Sequence, residues 1–126
     1  MLRDALLVGA GGFVGAISRY GVSTWVQRRA PEFPLGTLAV NVIGSLALGF
    51  LATLFATHTL VDDRLRLAAT VGFLGAFTTF STFSYETARL WEAGRWAALS
   101  ANVALNVATC LGATVAGMFT ARWFAS

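Results

Sequence analysis

Charge-free runs leave this chain little choice of solvent. Residues 5–18 and 20–27 carry no formal charge and are separated only by Arg19. Three more runs follow, at 33–57, 67–85 and 96–121, of 25, 19 and 26 residues. A helix needs about 20 apolar residues to cross a bilayer core of about 30 Å. The runs therefore predict an all-α membrane protein with four transmembrane helices, near residues 4–27, 34–57, 65–89 and 96–122. Residues 1–126 read as one four-helix domain with short connectors near 28–33, 58–66 and 89–96. Composition agrees, because 56% of the residues are hydrophobic, 12% are charged and mean hydropathy is +0.68. The first run has a basic start, but its apolar stretch resumes beyond Arg19 and no small-x-small cleavage site precedes a soluble remainder. It reads as a span rather than a leader.

The charges that remain exclude several functions. The net charge is +3, but the nine basic residues are all arginine and are scattered singly or in pairs. They form no stripe of the kind that tracks phosphates, so no nucleic acid is expected as partner. The single Cys110 and the single His58 have no neighbours at metal-ligand spacing, which removes zinc and an internal disulfide. His58 reads as a solvated residue of a Thr-rich connector. With four crossings, Arg3, Arg64, Arg66 and Arg122 share one side of the membrane, and Arg28, Arg29, Arg89 and Arg95 share the other. Arginine in short flanks sets orientation, and this count is a tie. Either one orientation is fixed by something finer, or the chain inserts both ways and pairs with its inverted twin. Four helices in 13.3 kDa hardly enclose a pathway alone, which favours an oligomer.

Polar residues inside hydrocarbon are costly enough to mark function. Arg19 lies on the first run, Asn41 and Ser45 on the second, and Asn102, Asn106, Thr109 and Thr114 on the fourth. Arg19 either snorkels to the interface or presents charge to an aqueous vestibule. On the fourth helix Asn102, Asn106, Cys110 and Thr114 recur every four residues, which lays them along one slowly drifting face. That face is either an interhelical hydrogen-bond seam or the lining of a narrow pore. No acidic residue lies deep in a run, because Glu86 and the other carboxylates fall at ends or connectors. A proton-coupled cation exporter needs a buried carboxylate and is disfavoured. Gly11 with Gly15, and Gly12 with Ala16, are small-xxx-small pairs suited to close helix packing.

The third run ends in FTTFSTFS, residues 77–84, which interleaves three phenylalanines with five hydroxyls. Gly72 and Gly75 precede it. This concentration of poor helix formers predicts a break near the middle of the third helix, where freed backbone groups suit ion sites. Freed carbonyls there suit a cation, and freed N–H groups with hydroxyls suit an anion. An aromatic ring is electropositive at its edge. Phe80 and Phe83, three residues apart, place two such rings on one face, with hydroxyls beside them.

The blocks GGFVGAISRY, PLGTLAVNVIGS and GFLGAFTTFSTFS, with the polar face of the fourth helix, resemble the Fluc/CrcB fluoride channels over essentially the whole chain. The resemblance implies an antiparallel, dual-topology homodimer in the cell (inner) membrane that lets fluoride leave the cell passively, without enzyme chemistry. It implies that Phe80 and Phe83 line the fluoride pore together with Asn41, Ser81, Thr82, Asn106 and Thr114. It also implies a structural sodium ion on the dimer twofold axis, held by the backbone carbonyls of Gly75 and Thr78, and it matches Arg19 to a helix-1 arginine. Two positions depart from the pattern: Ala76 replaces a frequent second glycine, and Cys110 stands where a hydroxyl or aromatic is common. The rival readings are a small multidrug-type exporter and a non-transporting membrane scaffold.

Overall fold

In a computed structural model the described residues are 1–57 and 61–125, and His58 lies outside them. Four helical spans are long and apolar enough to cross a membrane: Leu2–Gln27, Leu35–Thr57, Asp63–Glu92 and Trp96–Ala125. Among the described residues there is no strand. The molecule is an all-helical, multi-pass membrane protein.

The first two spans are the uninterrupted helices α1 (Leu2–Gln27) and α2 (Leu35–Thr57). The third is assembled from pieces. Helix α3 (Asp63–Leu67) starts where the Asp62 side chain accepts from the Arg64 N–H, and it runs into π-helical turns over Ala68–Leu74. A short α4 (Gly75–Phe77) follows. Thr78 and Thr79 then take extended backbone, with φ/ψ of −88°/158° and −153°/114°, before α5 (Phe80–Glu92). Gly94, with φ of 67°, turns the chain into α6 (Trp96–Ala125). Left-handed backbone of this kind favours glycine.

The connectors at one end are held by two side chains. Gln27 donates from Nε2 to the carbonyls of Ala30 and Phe33, both at 2.8 Å, and its Oε1 accepts from the Gly36 N–H at 3.0 Å. Arg95 donates to the Glu32 carbonyl at 2.7 Å and pairs with the Glu32 carboxylate at 3.4 Å, which ties the two connectors together. Arg29 stacks over Trp25 at 3.6 Å from its ring centroid, an amphipathic pair suited to a headgroup layer.

Helix α1 packs on the third span and α2 packs on α6. The expected close approach at the α1 glycines is present. A Cβ at Gly11 would collide with the Ala68 carbonyl and one at Gly15 with the Phe73 carbonyl, so the two backbones touch. The core of the single protomer is thin. Among the described residues the largest fully enclosed side chains are Val40 and Asn102, while Phe13, Phe80, Leu111, Phe119 and Trp123 are exposed. An apolar exterior of this extent needs lipid or another protein surface as its solvent.

Candidate functional site

The extended pair Thr78–Thr79 takes backbone groups out of the helical ladder, and buried backbone groups need partners. Asn41 of α2 supplies them. Its Oδ1 accepts from the Thr79 N–H at 2.9 Å, and its Nδ2 donates to the Thr79 carbonyl and to Asn106 Oδ1, each at 3.2 Å. Asn106 Nδ2 donates to the carbonyl and side-chain oxygens of Asn102, both at 3.0 Å. Asn102 Nδ2 donates to Thr87 Oγ1 at 3.0 Å, and that hydroxyl donates to the Phe83 carbonyl at 2.7 Å. One chain of hydrogen bonds thus joins α2, α5 and α6. Asn102, Asn106 and Thr79 are all buried, so it stands where an unpaired group costs most.

Thr79 also caps α5. Its Oγ1 accepts from the Thr82 N–H at 3.2 Å and donates to Thr82 Oγ1 at 3.0 Å, and it lies 3.2 Å from Ser81 Oγ. In an unbroken helix the N–H of Thr79 would bond the Gly75 carbonyl, and that of Thr82 the Thr78 carbonyl. Here those donors go to Asn41 and to the Thr79 hydroxyl. The carbonyls of Gly75 and Thr78 are left without their helical partners, which is what a hard cation requires of its ligands. The Thr78 side chain fits because Gly44 faces it; a Cβ at Gly44 would collide with Thr78 Cγ2.

A cavity of about 400 Å³ opens on this network. It is lined by Asn41, Thr78, Phe80, Phe83, Asn106 and Thr114, and Cys110 also borders it. The two rings stand 5.4 Å apart between centroids at 52°, and Phe80 is 78% exposed. Thr114 contributes an oxygen rather than a proton, because its hydroxyl donates to the Cys110 carbonyl at 3.0 Å. Asn41 and Asn106 likewise commit both side-chain N–H protons to protein acceptors. Arg19 and Thr82 border a second cavity of about 190 Å³ that shares Thr79 with the first. Gly75 and Ser81 border neither.

Thr37 and Glu86 belong to this region and were not singled out as site residues from sequence. Thr37 lines the Arg19 cavity and is 4% exposed. Its hydroxyl donates to Glu86 Oε1 at 2.8 Å, while Glu86 Oε2 is enclosed with no hydrogen-bond partner among the described residues. Glu86 does follow the last residue of an apolar run, as the sequence reads, but it sits inside α5 and against α2 rather than at a solvated helix end. The expected third helix, to residue 89, already contains Glu86, and α5 runs on to Glu92; what run-counting cannot see is the partner on α2. The usable signal was spacing, because Thr37 precedes Asn41 by one four-residue step and Glu86 follows Thr82 by another. Replacing Thr37 by valine should lower thermal stability in detergent by about 1–3 kcal/mol, since the carboxyl then loses its donor. Adding Glu86→Gln to that variant should restore part of the loss; no recovery would mean that the pair does not interact.

The family model described as CrcB-like protein, Camphor Resistance (CrcB), matches residues 6–118. The chain belongs to this family. Relatives of this CrcB chain include the fluoride-specific ion channel FluC of Sorangium cellulosum (strain So ce56), 51% identical over 116 residues and 91% of either chain. The FluC of Sulfurovum sp. (strain NBC37-1) is 50% identical over 114 residues, covering 90% of this CrcB chain and 89% of its own. That of Geobacter sulfurreducens (strain ATCC 51573 / DSM 12127 / PCA) is 48% identical over 122 residues, covering 96% and 98%. All three relatives are named as ion channels.

Proposed function

We propose that this chain is a fluoride-specific channel subunit, which gives fluoride a passive path out across the cell (inner) membrane and works as an antiparallel, dual-topology homodimer. The observation that carries this reading is the cavity where Phe80 and Phe83 stand over the Asn41–Thr79–Asn106 network. A small, strongly hydrated anion needs close donors to replace its water, and ring edges favour it without fixing it by a full charge. Thr82 Oγ1 accepts from Thr79 and so keeps its own proton for the Arg19 cavity, with the Ser81 hydroxyl close by. Half-buried Arg19 adds positive charge at that approach. Asn41 and Asn106 act first as the brace that holds the interruption of the third span open. Phe80 is exposed in one protomer, which supports a second copy closing the pore.

The carbonyls of Gly75 and Thr78 fit the structural sodium ion of this reading, because both have lost their helical donors and are hard oxygen ligands. Bound there, the ion would supply a positive charge that offsets those oxygens at the dimer axis. Two carbonyls from each protomer would share it.

Glu86 alters one argument. A partly enclosed carboxylate exists after all, so a proton-coupled exporter is no longer disfavoured for want of one. Family membership now weighs against it. The deciding experiment is fluoride release from liposomes carrying the purified protein, read by a fluoride electrode with a chloride control and with imposed pH gradients. Release of fluoride with chloride retained, independent of the pH gradient, is expected. Exchange of a lipophilic cation for protons would favour the exporter, and vesicles sealed to every ion would favour a scaffold.

A further inference from the structure

The four-residue stripe of α6 does not stop at Thr114; its next members are Met118 and Arg122. A cavity of about 480 Å³ lies between α2 and α6, bordered by Thr53, Thr57, Met118 and Arg122. It shares Leu48 and Thr114 with the cavity of Phe80 and Phe83, so the two abut. A four-residue step drifts only about 40° round the helix, so Thr114, Met118 and Arg122 stay near one face. Arg122 stands about 24 Å along the axis from Asn106, at about 1.5 Å per residue, and close to the end of α6. Its guanidinium lies 5.8 Å from the Phe119 ring centroid. Among the described residues no carboxylate pairs with it, whereas Arg64, Arg89 and Arg95 each face one. A cation at the mouth of a low-dielectric groove, with no carboxylate against it among the described residues, concentrates anions there.

We infer that Arg122 is the anion-capture residue at the far end of the pathway, where it draws fluoride toward the cavity of Phe80 and Phe83. This rests on the channel reading above. Arg122 is exposed, so the ion keeps its water there and the residue acts by charge rather than by fitted hydrogen bonds. Lysine should therefore replace it, glutamine should not, and glutamate should do worst.

The test is fluoride current across bilayers of zwitterionic lipid at low potassium fluoride, with and without impermeant salt. Ionic strengths of about 0.01 M and 1 M give screening lengths of about 30 Å and 3 Å. Arg122→Gln is expected to lower the current about threefold to tenfold at low ionic strength, with a deficit that nearly vanishes at high salt. Arg122→Lys should stay near wild type throughout. A deficit that persists in high salt, or that lysine shares, would overturn the proposal in favour of a structural role. A deficit seen only when anionic lipid is added would overturn it in favour of a lipid headgroup site. Wild-type protein that passes no fluoride would defeat the channel reading itself. Wild-type current untouched by any Arg122 change would defeat the capture role alone.

Discussion

Asn41→Asp is expected to cut fluoride release by about 100-fold or more, with the protein still folded and inserted. The aspartate keeps an oxygen to accept from the Thr79 N–H, the bond that measures 2.9 Å in the native chain. It loses both N–H donors, so the Thr79 carbonyl and Asn106 Oδ1 now face a carboxylate oxygen instead of a proton. It also places an anion beside the cavity of Phe80 and Phe83. Two like charges about 4 Å apart repel by about 4 kcal/mol at an effective dielectric constant of about 20, and about 1.4 kcal/mol is a factor of ten in rate, which sets the expected size. Asn41→Ala separates the two effects. It adds no charge but orphans three bonded groups, at about 0.6–2 kcal/mol each between membrane helices. It should melt earlier than the aspartate variant if bracing dominates. Initial rates of release at matched protein, with melting in detergent, read both. Wild-type flux in the aspartate variant would mean that Asn41 braces the fold and stands clear of the ion.

The four spans were legible because hydrocarbon forbids unpaired charge, so charge-free runs mark them directly. The α1 seam was legible for a similar reason. Gly11 and Gly15 are spaced for close approach, and each meets backbone of the third span. The stripe on α6 was legible as a pattern but not as a choice between seam and lining. The structure shows the seam, since Asn106 bonds across to α2, and it sets the same residue on the border of a cavity. What the sequence hid was partnership. Nothing local says that Asn41 reaches Thr79, or that Thr37 reaches Glu86, because the partners lie 38 and 49 residues apart. The equal split of arginines raises a second copy as one of two options, and nothing local in the sequence chooses between them.

Phe80→Ile is the cleanest separation of function from fold. The ring is 78% exposed in the protomer and packs beside Phe83, so truncation removes little packing. Exposed substitutions of this sort usually change stability by no more than about 0.5 kcal/mol. Isoleucine keeps the bulk and apolar character but has no ring and no electropositive edge. If Phe80 only covers a surface toward lipid or a neighbouring helix, isoleucine does that as well, and fluoride release stays at the wild-type rate. If its edge faces the ion, the loss falls on the rate alone. An aromatic interaction worth about 0.5–1.5 kcal/mol beyond burial would give a factor of about two to twelve for one ring. Because each pore of an antiparallel dimer would use rings from both copies, the effect in a homodimer can compound, and a fall of more than tenfold is expected. The check is the release rate together with the melting temperature and the oligomeric state of the same preparation. A large fall in rate with melting unchanged assigns the ring to the ion path, and a rate that falls only as melting falls returns it to packing.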